Sequence, residues 1–343
     1  MKTKLSIVLV AIAGQFIYSL PTKACTGITL KSKGETTIVA RTIEWGGSNL
    51  NSQYVIVPRG HTEQSYTPDG MNGMTFTSRY GYVGLAVEQK DFIAEGLNEV
   101  GLSAGLFYFP NYGKYQNYDF AEKEKSISDL QLVSWVLGKC KTMDEVKEAV
   151  KKVRIINIDP RASTVHWRFT DISGHQLVLE IINGIPEFYE NKLGVLTNSP
   201  GFEWQLTNLN NYVNLFPGTA SAQHLGNIEL SSFGAGSGFL GIPGDVTPPS
   251  RFVRAAFYQT SAPQQDTPLK TVLQCFQILN NFDIPVGIEF KPGEIPCDIP
   301  SATQWTSATD MTNRIIYFRT MYNSAEHLAN SKLNLLKNYV MLE

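Results

Sequence analysis

Cys25, Arg41 and Glu44 have the residue types and the spacing to break an amide bond. Cys25-Thr26-Gly27-Ile28-Thr29-Leu30-Lys31 alternates like a strand, Ser32-Lys33-Gly34 reads as a turn, and Thr36 to Trp45 returns as a second strand. A tight hairpin centred near Lys33-Gly34 sets Cys25 opposite Thr42, within one or two residues, and cross-strand neighbours lie about 5 Å apart. Arg41 and Glu44 therefore come back beside Cys25. A thiolate nucleophile needs a nearby cation, and an amine working beside it needs an acceptor to hold it; this pair supplies one of each. Spacing alone fits an ordinary surface ion pair as well.

The residues ahead of Cys25 bear on which amine that is. Met1 to Lys4 carries two lysines, Leu5 to Ala13 is small or apolar, and Gln15, Ser19 and Pro21 break the run before Thr22-Lys23-Ala24. That order is a secretory signal peptide over residues 1–24. It is too short and too polar at its end for a membrane anchor, which needs about 20 apolar residues. Removing it takes away Lys2, Lys4 and Lys23, makes Cys25 the first residue, and sends the protein out of the cytoplasm, secreted or periplasmic. A cysteine in that place is lipid-modified, structural or a nucleophile. Lipidation prefers an aliphatic residue three before the cysteine, where this chain has Thr22 followed by Lys23. As a nucleophile, Cys25 carries its own base: an α-amine has an ordinary pKa of about 7.7–8.0, close to the thiol's about 8.5. The two groups are joined by two bonds, so their proximity is built in. Acylating the amine would abolish this chemistry, so the lipid-modified and catalytic readings exclude each other.

Five segments then occur in one order: Cys25-Thr26-Gly27, Arg41-Thr42-Ile43-Glu44, Glu95-Gly96-Leu97-Asn98-Glu99-Val100-Gly101-Leu102, Leu196-Thr197-Asn198-Ser199-Pro200, and Pro243-Gly244-Asp245-Val246-Thr247-Pro248-Pro249-Ser250-Arg251-Phe252. Together they resemble the choloylglycine hydrolase family, which includes conjugated bile salt hydrolases and penicillin V acylases. The resemblance runs from Cys25 to about Thr320. It implies an N-terminal-nucleophile hydrolase that cleaves a small-molecule acyl amide without a cofactor, usually as a homotetramer, with Gln205 to Leu230 as the assembly arm. It further implies that Cys25 attacks, Arg41 supports the thiolate, Asn198 lends its side-chain amide to the oxyanion hole, and Arg251 is a second active-site arginine at a helix start. Glu44 stands where the family usually has an aspartate that holds the amine; the charge is kept and a methylene is added. Tyr108 falls where bile salt hydrolases typically have asparagine and penicillin V acylases tyrosine. The resemblance implies that its N–H completes the oxyanion hole and that its ring shapes the acyl pocket toward penicillin V or another small or flexible acyl chain, such as an acyl homoserine lactone. A lipidated envelope protein or binding module, and a family member drifted out of activity through Glu44, are the alternatives.

The whole chain must supply a scaffold for these residues. Its 343 residues are 43% hydrophobic and only 17% charged, ample for a core, and 29 basic side chains against 31 acidic ones argue against nucleic acid as a partner. The four cysteines and five histidines show no metal-binding spacing, and the histidines receive no role. Cys140 and Cys275 sit in apolar helical patterns as inert core thiols, while Cys297 lies in a loop. Gly236-Ser237-Gly238-Phe239-Leu240-Gly241 matches a dinucleotide fingerprint, but Ile242-Pro243-Gly244-Asp245 follows in place of the required helix. Lys147 to Arg154 reads as a solvated helix face.

Strands are predicted at Tyr54–Val57, Tyr82–Val87, Ile93–Gly105 with a turn at Leu97-Asn98-Glu99, Val165–Thr170, Gln176–Ile182 and Pro186–Tyr189. Trp305–Thr309 and Arg314–Arg319 make a final hairpin. Helices are predicted at Ser128–Lys139, Asp144–Val153, Ser250–Tyr258 and Leu269–Asn280. This order gives an α+β fold, a four-layer αββα sandwich with two antiparallel sheets, formed by a single domain over residues 25–343.

Overall fold

The computed structural model describes residues 24–45, 50–158, 163–293, 302–321, 323–330 and 339–341, the last two as backbone only. Cys297 and residues 1–23 of the segment read as a signal peptide lie outside the described residues. Strand β1 (Ala24–Lys31) and β2 (Thr37–Trp45) form the hairpin read from the sequence. Its register pairs Cys25 with Ile43 and Thr26 with Thr42, one residue from the expected alignment.

Strands β16 (Ala302–Asp310), β17 (Ile315–Thr320) and β18 (Asn323–Asn330) extend this hairpin to a sheet of order β1-β2-β16-β17-β18. The second sheet takes β3 (Gln53–Val57), β6 (Tyr82–Ala86), β7 (Ile93–Asn98), β8 (Ser103–Tyr108), β11 (Val165–Thr170), β12 (Gln176–Ile182), β13 (Ile185–Glu190) and β19 (Tyr339–Met341). Its order is β13-β12-β11-β8-β7-β6-β3-β19, and every pairing in both sheets is antiparallel. Short pairs sit outside them: β4 (Thr62–Gln64) with β5 (Thr75–Thr77), β9 (Ser126–Ser128) with β10 (Arg154–Ile156), and β14 (Gln223–Leu225) with β15 (Ile228–Leu230).

Helix α1 (Leu132–Lys139), followed by α2 (Met143–Val150), packs against β7 and β8, and α4 (Pro248–Ser261) and α5 (Pro268–Leu279) cover β1, β2 and β16. A short α3 (Phe202–Asn208) follows the second sheet. Each sheet is thus covered on both faces. That is why eight of the nine residues of β2 and all six of β7 are buried, where a half-exposed strand would alternate. Helix α5 buries Val272, Cys275, Phe276 and Leu279, an i, i+3, i+4, i+7 stripe. Thr142 caps α2 by accepting from the Glu145 N–H at 3.2 Å, and the Glu145 carboxylate reaches back to the Lys141 N–H at 2.6 Å.

Several boundaries differ from the sequence reading. Helix α4 is longer than expected at both ends, and α2 ends at Val150 with Ala149 and Val150 buried, so Lys147 to Arg154 is not one solvated helix face: Arg154 already opens β10. The turn between β7 and β8 lies after Asn98, because the Asn98 side-chain carbonyl accepts from the Val100 and Leu102 N–H groups at 3.2 and 2.8 Å and Gly101 takes φ 90°. The segment 129–131 is a 3₁₀ turn ahead of α1, because Ser128 caps it separately. The edge strands β18 and β19 carried no signal strong enough to be predicted.

Candidate active site

Cys25 sits one residue into β1, and the pleat of that strand divides its surroundings. Cys25 and Gly27 share a face with Ile43 and Arg41 of β2, and that face looks into the space between the sheets. There Arg41 donates from Nη2 to Cys25 Sγ at 2.8 Å and from Nη1 to the Ala94 and Leu106 carbonyls at 3.1 and 2.5 Å. Its guanidinium lies 4.1 Å from the Phe107 ring centroid. Both Arg41 and Cys25 are buried.

The segment before Asn198 runs along the free edge of β1, where Gly27 and Leu196 exchange backbone hydrogen bonds at 2.6 and 3.1 Å. This delivers Asn198 to Cys25. Asn198 Oδ1 accepts from Cys25 N at 2.9 Å and from Arg251 Nη2 at 2.7 Å. Two donors converging on one atom fix the orientation of the amide. Asn198 Nδ2 then donates to the Tyr108 carbonyl at 2.8 Å, and the Tyr108 backbone N–H bonds toward the Cys25 sulfur. Arg251, in the first turn of α4, reaches the other face of β1: Nη1 donates to Cys25 O at 2.6 Å and to Thr26 Oγ1 at 2.7 Å.

Glu44 pairs across the hairpin with Ala24, so it belongs to the face opposite the thiol. It is fully buried, its Oε1 accepts from Thr303 Oγ1 at 3.1 Å, and its Oε2 has no hydrogen-bond partner among the described residues. The surface ion pair that spacing alone allowed is absent: Arg41 is buried and faces Glu95 Oε2 at 3.7 Å. The structure therefore gathers Cys25, Arg41, Asn198, Arg251 and Tyr108 directly around one another, with Glu44 on the Arg251 side. Cys25 follows Ala24 in an unbroken strand, so its nitrogen is here a peptide N–H, standing where a freed α-amine would be.

Burial dominates the electrostatics. It pushes the Cys25 thiol up; Arg41 opposes it most, Glu44 adds to the rise, and the Tyr108 N–H and Arg251 pull down. Burial also lifts Glu44 to about 7, against Arg251 and the hydroxyls of Thr42 and Thr303. The Tyr108 phenol is raised by partial burial. Cys140 and Cys275 are buried free thiols, pushed up by loss of solvent, Cys140 to about 12. Neither is a rival nucleophile.

Several residues that hold the site escaped the sequence reading. His166 was given no role, yet its ring nitrogens contact Glu180 Oε1 and the Thr197 carbonyl, both at 3.1 Å, immediately before Asn198. Glu180 Oε1 also accepts from Phe202 N–H at 2.9 Å, which fixes the start of α3. Glu95 and Arg168 stand behind Arg41. The signal for Glu95 is its place at the head of Glu95-Gly96-Leu97-Asn98; for His166 and Arg168 there is none beyond polarity inside apolar runs. Gly236, Leu240 and Gly241 are exposed, Ser237 and Phe239 half-buried and Gly238 buried; no helix follows directly, and Gly238 pairs with residues 216 and 218. Among the described residues no cluster of three or more His, Cys, Asp or Glu is placed to hold a metal, and no helix is long and apolar enough to cross a membrane.

Two antiparallel sheets between helix layers, with a cysteine, its arginine and an amide-bearing asparagine at one strand end, define an N-terminal-nucleophile hydrolase fold. The family model described as "Linear amide C-N hydrolases, choloylglycine hydrolase family" matches residues 25–340, and the chain belongs to that family of enzymes, hydrolases of amide C–N bonds. It is 32% identical over 306 residues to a bile salt hydrolase/transferase of Clostridium perfringens, covering 88% of this chain and 90% of that protein. A bile salt hydrolase/transferase of Lactiplantibacillus plantarum is 33% identical over 269 residues, 74% of this chain and 81% of its own length. A crystal structure of a mutant conjugated bile acid hydrolase from Clostridium perfringens superposes with a TM-score of 0.81 at 29% identity, covering 93% of this chain and 96% of that one. Penicillin V acylase from Agrobacterium tumefaciens shares the fold, with a TM-score of 0.72 at 23% identity over 90% of this chain and 87% of its own.

Proposed function

We propose that this chain is an exported cysteine hydrolase that cleaves conjugated bile salts through a thioester formed on Cys25, after removal of residues 1–24. The observation that carries the reading is the set of groups around Cys25: Arg41 Nη2 at 2.8 Å from the sulfur, and Asn198 Oδ1 at 2.9 Å from the nitrogen. Sulfur and nitrogen of one residue each have a dedicated partner.

In the reaction, the thiol proton passes to the freed α-amine and the thiolate attacks the amide carbonyl carbon. The oxyanion lies between the Tyr108 N–H and the second Nδ2 hydrogen of Asn198, the first being used on the Tyr108 carbonyl. The C–N bond breaks as the α-ammonium returns its proton to the departing amine, and water then hydrolyses the thioester. Glu44 Oε2, a buried acceptor with capacity to spare, serves the amine from the far face of β1. The names of the relatives favour a bile acid as the acyl group; the aromatic Tyr108 favours penicillin V as the second reading. The exposed apolar residues Leu225, Ile228, Leu230 and Phe233 in and beside the β14–β15 hairpin support assembly into a homo-oligomer, a tetramer by family resemblance.

The test joins mass spectrometry of the mature N-terminus to hydrolysis of glycocholate, taurocholate, penicillin V and an acyl homoserine lactone. A free Cys25 amine and bile-salt hydrolysis, lost in Cys25→Ser, are the expected results. A diacylglyceryl cysteine makes the protein a lipoprotein and removes the mechanism. Full hydrolysis by Cys25→Ser removes the nucleophile, and hydrolysis confined to penicillin V moves the substrate to the second reading.

A further inference from the structure

Three charged side chains meet between the sheets where packing alone would favour apolar ones. On the second sheet, Glu95 of β7 faces Gly105 of β8, and Gly105 faces Arg168 of β11. A Cβ on Gly105 would come within 2.1 Å of Glu95 Oε2, so only glycine lets that carboxylate lie across the strand. On the first sheet, Gly27 pairs with Arg41, and a Cβ on Gly27 would come within 2.7 Å of Arg168 Nη1. Two glycines thus clear the space for the group. Glu95 Oε2 is 3.7 Å from Arg41 Nη1 and Glu95 Oε1 is 3.6 Å from Arg168 Nη2, with all three side chains at most 1% exposed. Both separations exceed hydrogen-bond length, and Glu95 Oε2 and Arg168 Nη2 have no hydrogen-bond partner among the described residues. The interaction is charge against charge, and ions buried this deeply persist only where they compensate one another.

We propose that Glu95 and Arg168 are positioning residues for Arg41, and that their opposed charges set how readily the Cys25 thiol ionises. This rests on Cys25 being the nucleophile. Arg251 of α4 and Glu44 of β2 also act on Cys25, as does its own freed amine, and all three are the same in every variant tested. With the thiol protonated, Arg41, Arg168 and Glu95 together carry one net positive charge; forming the thiolate neutralises the group. Glu95 keeps the excess from growing to two and holds the guanidinium whose Nη2 meets the sulfur. Arg168 keeps the Glu95 carboxylate from cancelling Arg41 entirely.

The test is the pH dependence of Cys25 alkylation by iodoacetamide in the mature protein, with the modified peptide identified by mass spectrometry. Glu95→Gln is expected to lower the midpoint and Arg168→Met to raise it, each by on the order of one unit. The double variant keeps the parent's net charge and returns the midpoint toward the parent's. Shifts of the same sign in both single variants, or no shift, overturn the proposal, since a merely structural role gives no opposed signs. If Glu95→Gln does not fold, Arg168→Met and the double variant decide: an unchanged Arg168→Met midpoint overturns it. A parent protein whose Cys25 is never alkylated fails the nucleophile reading instead, and takes the proposal with it.

Discussion

Replacing Asn198 in two ways separates its structural work from the catalytic work proposed for it. Its Oδ1 takes hydrogen bonds from Cys25 N at 2.9 Å and Arg251 Nη2 at 2.7 Å, while Nδ2 gives one to the Tyr108 carbonyl at 2.8 Å. Asn198→Ala removes all three in a fully buried place and leaves a charged donor and a carbonyl without partners. A bond to a charged group contributes about 1.5–3 kcal/mol and a neutral one about 1 kcal/mol, so the loss is on the order of 3–5 kcal/mol. That is a large part of a typical total of about 5–15 kcal/mol, so the variant folds with a clearly lower Tm. Asn198→Asp restores both acceptor bonds and gains charge against Arg251, but sets a carboxylate against the Tyr108 carbonyl; its stability loss is about 1–2 kcal/mol. Neither variant has the Nδ2 donor, so kcat for glycocholate falls about 100–1,000-fold in both. Thermal melts and steady-state kinetics on the mature protein give the two numbers. Asn198→Asp with kcat/KM within about threefold of the parent would refute a donor role for this amide. Equal Tm losses for the two variants would refute the convergence of donors on Oδ1.

Burial holds Glu63 and Asp129 at about 7, above their ordinary 4.5 and 3.8. The folded state therefore keeps protons that the unfolded chain releases, and this stabilisation is complete below the ordinary values and lost as pH rises through about 7. Tm is expected to fall across that window, less steeply in Asp129→Asn; an unchanged slope in that variant would show that Asp129 does not contribute. Gly105→Ala forces a Cβ to 2.1 Å from Glu95 Oε2 and should cost about 2 kcal/mol or more in a thermal melt, whereas an unaltered Tm would displace Glu95 from its position behind Arg41. Leu225→Glu combined with Ile228→Glu charges the exposed hairpin, so light scattering should report a smaller species that still hydrolyses substrate; an unchanged mass would exclude the arm as the assembly contact.

What the sequence disclosed about the site follows from how local each contact is. The hairpin is closed by a short turn, so Arg41 could be set beside Cys25 from spacing, with an error of one residue. That single step still matters, because a strand's side chains alternate between its faces. Asn198 lies 173 residues from Cys25, and no local pattern predicts that approach; only the resemblance supplied it. Arg168, Glu95 and His166 stand in strands covered on both faces, where a polar residue breaks no alternation and gives no sign of its direction. The glycine of Cys25-Thr26-Gly27 was visible as a motif, but the atoms that require it belong to Arg168 and Phe107 on the opposite sheet. The same pleat accounts for why Arg41 and Glu44 form no ion pair with each other. They are three residues apart on β2 and so face opposite ways, one toward the sulfur and the inter-sheet space, the other toward Arg251 and Thr303. A salt bridge between them would draw Arg41 away from the Cys25 sulfur. One strand, buried on both faces, keeps Arg41 on the side of the sulfur and Glu44 on the side of Arg251, with no ion pair between them.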